Sequence, residues 1–260
     1  MADKSILIQI YEIQDPRTAE ALIAIGVDHI GSVVLDEQRW KIPELRETVR
    51  FVSESGGKSS LIPLFSSVDT ISRVLDYYQP DIAHFCEAIS TLSGEKIQLD
   101  LILAGQEKIR ERFPEISLMR SLPVCPPGTG EKEQLFQIVS LFEPVSDYFL
   151  TDTVLPVSAG KGPDDQPVPG FVGITGTTCD WDIVSKLVEF TGIPVILAGG
   201  ISPENVYGAI AETCPAGVDS CTRTNRDDGR GGSVRFKKDY EKVKCLVSEV
   251  RRAETDGLCR

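Results

Sequence analysis

Ile193-Pro194-Val195-Ile196-Leu197-Ala198-Gly199-Gly200-Ile201-Ser202-Pro203-Glu204-Asn205-Val206 is the stretch whose reading decides the fold. Its apolar run, residues 193–198, suits a parallel strand covered on both faces. Gly199 and Gly200 permit a tight turn and a close approach of backbone to ligand. Ser202, followed by Pro203 and Glu204, reads as a capped helix start. Backbone amides and the positive end of a helix dipole then converge on one spot, which favours an anion such as phosphate. An ordinary strand-to-helix turn would use the same residue types, so the rest of the chain must decide between the two.

Outward from this unit, strand-like runs fall near 5–11, 29–34, 60–65, 81–85, 116–121, 148–151 and 217–220, making eight with 194–198. Helical periodicity falls near 16–25, 43–55, 69–78, 103–113, 131–142, 181–190, 203–212 and 236–252. Eight alternating β and α units with strands apolar on both faces predict a closed (β/α)8 TIM barrel, for which 260 residues is a fitting length. An open doubly wound sheet is the alternative, weakened because no GxGxxG follows the first strand. No linker divides the chain, so one barrel domain over 1–260 is expected, with 253–260 as a frayed tail.

In such a barrel the loops after the strands carry the chemistry, and those after strands seven and eight often hold phosphate. The connection 153–178, rich in glycine and proline, reads either as a lid over that face or as a passive insertion. A polar loop at 222–233 carries Arg223, Arg226 and Arg230 among Asp227 and Asp228.

With 27 Lys and Arg against 39 Asp and Glu, the net charge of −12 argues against nucleic acid or an acidic membrane surface as partner. An anionic ligand would have to be caught by backbone dipoles and a few placed cations. The N-terminus lacks the basic and apolar regions of a secretory signal, and no apolar run approaches the roughly 18 residues that span a bilayer. Seven scattered cysteines without CxxC or Cys/His spacing suggest reduced thiols in a cytoplasm and no zinc site. Oligomeric state cannot be read from the pattern.

Several segments, taken in order, resemble the phosphoribosylanthranilate isomerase family, the barrel that converts an aminoaldose phosphate to an aminoketose. Gly173-Ile174-Thr175-Gly176-Thr177-Thr178-Cys179-Asp180-Trp181 is similar to the family's GGTGKTFDW, and residues 194–206 to its PVILAGGLNPENV. Gly217-Val218-Asp219-Ser220-Cys221-Thr222 resembles GVDVSS, and Phe149-Leu150-Thr151-Asp152 resembles FLLDS. Residues 21–34 look like the helix and second strand that lead to the family's PRYV, and Arg39-Trp40 stands where its Arg-Tyr falls. The resemblance covers roughly residues 5–250 and is specific mainly in the C-terminal half. It implies a phosphorylated sugar as ligand, no metal or organic cofactor, and Asp152 as the general acid that protonates the ring oxygen. It also implies that Arg39 faces the anthranilate portion, and that Gly176, Gly199, Gly200, Ser220 and Thr222 surround the phosphate.

The departures bear on the chemistry. Where the family has KICG, with cysteine as the general base, this chain has Gln9-Ile10-Tyr11-Glu12. His84-Phe85-Cys86-Glu87 replaces QLHG, and Thr177 replaces the lysine of GKT. A proton-abstracting base needs a pKa not far from neutrality. Glu12, Cys86 and a strongly perturbed Tyr11 are the candidates, each with a plainer reading as solvent-facing, core or pocket-filling residue. His84 and His29 read as hydrogen-bonded core histidines. The expected activity is aldose-to-ketose isomerisation of an N-phosphoribosyl amine. The alternatives are action on another sugar phosphate, or phosphosugar binding by a barrel that has lost its base.

Overall fold

Eight parallel strands close on themselves in the computed structural model, which describes residues 5–89, 96–129, 132–155, 171–230 and 232–259. In chain order they are β1 (Leu7–Ile10), β2 (His29–Val34), β3 (Lys58–Pro63), β4 (Ile82–Phe85), β5 (Ser117–Val124), β6 (Tyr148–Thr153), β7 (Val195–Leu197) and β8 (Gly217–Ser220). The helices between and after them are α1 (Pro16–Ile25), α2 (Pro43–Glu54), α3 (Val68–Tyr78), α4 (Lys96–Arg112), α5 (Lys132–Phe142), α6 (Trp181–Phe190), α7 (Val206–Thr213) and α8 (Tyr240–Thr255). β1 pairs with β8, Leu7 opposite Gly217 and Ile10 opposite Ser220, so the sheet has no edge and the open-sheet alternative is excluded.

The strand period of two sorts the side chains. Ile8 and Ile10 point out of the barrel and pack with residues of α1 and α8 such as Leu22 and Leu246. Tyr11, Val33, Ile62, Ile82, Met119, Leu150 and Ile196 form the barrel interior. Each fully buried Leu, Ile or Val of these layers contributes about 1.5–3 kcal/mol relative to exposure, so the two-sided apolar strands read from the sequence are what hold the barrel closed. Caps fix the helix starts: Asp15 Oδ1 accepts from Thr18 N at 2.8 Å, and Asp180 Oδ1 from Ile183 N at 3.3 Å.

Four expectations need correction. α7 begins at Val206, later than expected: Ser202 Oγ accepts from Glu204 N at 3.3 Å as a cap, but a turn in which Asn205 Oδ1 accepts from Ser202 N and Ser202 O accepts from Val206 N precedes the regular helix. The last helix starts at Tyr240, capped by Asp239, and Phe236 lies instead in an antiparallel hairpin of β9 (Asn225–Asp227) and β10 (Ser233–Lys238). The expected frayed tail is anchored: Ala253 is fully buried, Leu258 packs on the core, and Cys259 is bonded to Cys214. That disulfide also corrects the expectation that every thiol is reduced, leaving five free cysteines. Most of the segment read as a lid, residues 156–170, lies outside the described residues.

Candidate active site

At the carboxyl ends of the strands, Asp152 of β6 and Asp219 of β8 line a cavity with Tyr11, Glu12, His84, Cys86 and the apolar side chains of Val33, Ile62, Leu64, Leu150 and Phe171. Asp152 makes one hydrogen bond, accepting from Thr153 N at 2.8 Å, and burial pushes its carboxyl up to about 7. Asp219 is pushed up to about 8 by burial and by the charge of Asp152, against the pull of a 3.2 Å hydrogen bond from Gln9 Nε2. Gln9 is oriented by His29, whose Nδ1 lies 3.2 Å from Gln9 Oε1. His29 is held neutral, its pKa lowered by burial to about 4, and an amide oxygen as partner fixes the Nδ1–H tautomer, which donates a hydrogen bond to it. Asp219 was not among the residues singled out as catalytic from sequence. The signal was there, an acid inside an otherwise apolar strand, which is rare unless paired or functional.

Both carboxyls also belong to an adjoining cleft with Gly176, Gly199, Gly200, Ser220 and Thr222. The structure therefore brings together all five residues expected at the phosphate. Gly200 has φ of +63°, and a Cβ there would lie 2.7 Å from Thr177 C and Thr178 N, so only glycine lets the two loops approach. Ser220 spends its hydroxyl on Ile201 O at 2.7 Å, tying β8 to the turn after β7. Arg223 donates twice to Gly176 O, at 3.1 and 2.7 Å, and puts an exposed cation at this end, where the family's lysine is missing.

None of the three base candidates keeps a free, titratable group. Tyr11 OH lies 2.5 Å from Ser60 Oγ and 2.7 Å from His84 Nδ1, and burial raises its pKa well above the ordinary tyrosine value. His84 continues this chain to Ser121 Oγ at 2.8 Å and is neutral, its pKa lowered to about 3 by burial and by the charge of Arg120. Gly31 makes room for Tyr11, since a Cβ at Gly31 would sit 2.2 Å from Tyr11 Cδ1. The Cys86 thiol is pushed up by burial and by Glu87, far from a thiolate. Burial would raise Glu12 too, but the hydrogen bond and charge of Arg235 outweigh it and hold the carboxylate below its usual range. Glu12 is buried, not solvent-facing, and anchors the hairpin by accepting from Arg235 Nε, Asn225 Nδ2 and Phe236 N.

Arg39 does not reach the cavity. Its side chain is 88 % exposed and paired with Asp36, Nε to Oδ2 at 2.7 Å. The arginine that does line the cavity is Arg235 of β10, which the sequence reading left between the 222–233 loop and the expected helix at 236.

Comparison with known proteins agrees with this geometry. The family model described as N-(5'phosphoribosyl)anthranilate (PRA) isomerase matches residues 131–247. N-(5'-phosphoribosyl)anthranilate isomerase 1 of Methanosarcina mazei is 31% identical over 249 residues, covering 94% of each chain. Among solved structures, N-(5'-phosphoribosyl)anthranilate isomerase from Pyrococcus furiosus superposes with a TM-score of 0.64 at 18% identity, covering 95% of this chain and 99% of its own. A phosphoribosyl anthranilate isomerase in complex with reduced 1-(o-carboxyphenylamino)-1-deoxyribulose 5-phosphate does so with a TM-score of 0.62 at 18% identity and the same coverage.

Proposed function

Since the chain belongs to the N-(5'-phosphoribosyl)anthranilate isomerase family, we propose that it converts N-(5'-phosphoribosyl)anthranilate to 1-(o-carboxyphenylamino)-1-deoxyribulose 5-phosphate, with Asp152 as acid and Asp219 as base. The observation that carries this reading is a pair of carboxyls with raised pKa values in one cavity, Asp219 buried and Asp152 partly so, beside a glycine-lined cleft suited to phosphate. Two interacting carboxyls hold one proton between them over a range around neutrality. Part of the upward push on Asp219 comes from the charge of Asp152 and disappears once Asp152 carries that proton. The hydrogen bond from Gln9 further favours the negative charge on Asp219. The proposed roles use the singly protonated form in which Asp152 holds the proton and Asp219 is the carboxylate.

With phosphate held in the glycine cleft, the protonated Asp152 gives its proton to the furanose oxygen. The ring C1–O bond breaks, and the nitrogen lone pair forms the C1=N iminium. Asp219 takes the proton from C2, and the C–H electrons move to C1=C2 as the iminium electrons return to nitrogen. Ketonisation places a proton on C1 and releases the enol proton, so both carboxyls return to their starting states. The apolar wall excludes water from the iminium. We place this activity in the cytoplasm, a reading supported by the five free thiols.

Turnover of phosphoribosylanthranilate by the purified protein tests the proposal, with Asp152→Asn, Asp219→Asn and Cys86→Ser assayed alongside. Each Asn variant is expected to lower kcat by at least about 100-fold, while Cys86→Ser retains most activity. Full activity of Asp219→Asn would remove it as the base. Phosphate binding without turnover in the unaltered protein would favour action on another sugar phosphate.

A further inference from the structure

Arg120 of β5 stands in register with Phe85 and Phe149 and shares their face, away from the barrel interior. Its side chain is only 1 % exposed, a burial that a charged group tolerates when paired and that carries a desolvation cost even then. Nε donates to Gln106 Oε1 at 2.8 Å and Nη1 to Glu87 Oε2 at 2.7 Å. The guanidinium carbon lies 5.2 Å from the ring centre of Phe85 and 4.9 Å from that of Phe142. The proposed reaction uses none of these groups.

Arg120 and Glu87 border a second cavity of about 430 Å³ between α3 and α4, whose walls include Val68, Ile71, Ile102 and Ile109. Small-molecule sites span roughly 300–1,000 Å³ and combine apolar walls with a few placed polar groups. Glu87 is not sealed off: 13 % of its side chain is exposed, and Oε1 has no hydrogen-bond partner among the described residues. Because Arg120 balances its charge, that oxygen is an acceptor in a nearly neutral, apolar setting. It suits a neutral O–H or N–H donor better than an isolated cation, whose own desolvation would go uncompensated.

Phe171 lines both this cavity and the catalytic one. It forms an antiparallel bridge with Glu87, and Val172 N donates to Cys86 O at 2.9 Å. Gly173 approaches Asp152 so closely that a Cβ there would lie 2.1 Å from Asp152 Oδ2. One short segment, 171–173, therefore joins Glu87 on one side to Asp152 on the other. We propose that the α3–α4 cavity is an effector site for a small, flat apolar molecule with a single O–H or N–H donor, which bonds Glu87 Oε1 and acts on the catalytic cavity across Phe171.

Calorimetric titration of the full chain with 2-naphthol and with its methyl ether, which lacks the donor, tests this. 2-Naphthol should bind at one site, and the ether about 10- to 100-fold more weakly, the range expected for a hydrogen bond to a charged group. Gly105 also lines the cavity, and a Cβ there would start 3.1 Å from Val68 Cγ2. Gly105→Leu fills the space while removing a glycine from a helix interior, so the fold is expected to persist. It should weaken 2-naphthol at least about tenfold, and Ile102→Trp, filling the cavity from one helical turn away, should do the same. Saturating 2-naphthol should lower kcat/KM for phosphoribosylanthranilate at least about fivefold in the unaltered protein and leave Gly105→Leu unaffected. No binding of 2-naphthol, equal binding of the ether, binding undiminished in both filled variants, or turnover indifferent to saturating 2-naphthol overturns the proposal. Absence of turnover under every condition counts against the isomerase reading alone, and the calorimetric comparison still decides the site.

Discussion

Asp152→Asn should stabilise the protein, and by an amount that grows with pH. Folding lifts the carboxyl from its ordinary pKa of 3.8 to about 7, because ionisation inside the barrel mouth is opposed by burial. A pKa raised by folding means that the folded state prefers the protonated form. Its contribution is fully present below the unfolded pKa and is lost as pH rises through the folded one. At 1.36 kcal/mol per unit the full loss by pH 8 is about 4 kcal/mol, of which about 2.5 kcal/mol falls between pH 5 and pH 8. Asp152 is only partly buried and faces the cavity, so water offsets some of this and about 1–2 kcal/mol is the realistic gain over that interval. Asparagine keeps the acceptor for Thr153 N and never ionises. It also removes the charge that pushes Asp219 up, which adds to the gain in the same direction. Urea unfolding of both proteins at pH 5, 6, 7 and 8 measures the difference. A variant advantage that is flat with pH, or that shrinks toward pH 8, would refute the argument that burial opposes the charge, even if the variant is inactive.

The same pair predicts a bell-shaped dependence of kcat/KM on pH with its maximum near neutrality. The acid limb reports loss of the carboxylate and the basic limb loss of the carboxylic acid, so a rate that climbs steadily to pH 9 would exclude the pair. Gly31→Ala puts a methyl group 2.2 Å from the Tyr11 ring and should cost about 1–3 kcal/mol of stability. Adding Tyr11→Ala should recover much of the Gly31→Ala penalty, visible as a coupling energy in a double-mutant cycle of denaturation midpoints. Gly200→Ala drives a Cβ into the backbone of Thr177 and Thr178 and should weaken inorganic phosphate binding at least about tenfold by calorimetry. Thiol titration of the unfolded, unreduced protein should count five groups, rising to seven after reductant; seven at the outset would exclude the Cys214–Cys259 bond.

The barrel was legible because strand burial on two faces and helix periodicity are local signals repeated eight times, and closure follows from their number. The glycine-lined cleft proposed for phosphate was legible for a related reason: what matters there is backbone geometry, and glycines report it directly, as at Gly199 and Gly200. The catalytic base was not, since whether Glu12, Cys86, Tyr11 or Asp219 can take a proton depends on burial and on partners brought in from far along the chain. Glu12 is neutralised by Arg235, which is 223 residues away. The hairpin was missed because 222–233 carries charges and glycines that read as a polar loop, and because the end of its second strand, from Phe236, runs on into a true helix and was read as part of it. Arg39 misled because its neighbour Asp36, three residues back, captures it.

The residues at the non-phosphate end depart from the family pattern as a set. A tyrosine at position 11 cannot simply replace a small side chain: its ring needs the space that Gly31 leaves, and its buried hydroxyl needs partners, which Ser60 and His84 provide. Once His84 is committed to Tyr11 and Ser121, it is neutral and unavailable for proton transfer. With Glu12 bound into the hairpin by Arg235, the only carboxyl among the described residues lining the cavity besides Asp152 that has a raised pKa is Asp219, already oriented by Gln9 and His29. Loss of the first-strand cysteine therefore does not by itself imply loss of the reaction. In the proposed mechanism proton abstraction falls to β8 instead of β1, where a carboxyl made weakly acidic by burial and by the charge of Asp152 has the pKa range that a base acting near neutrality requires.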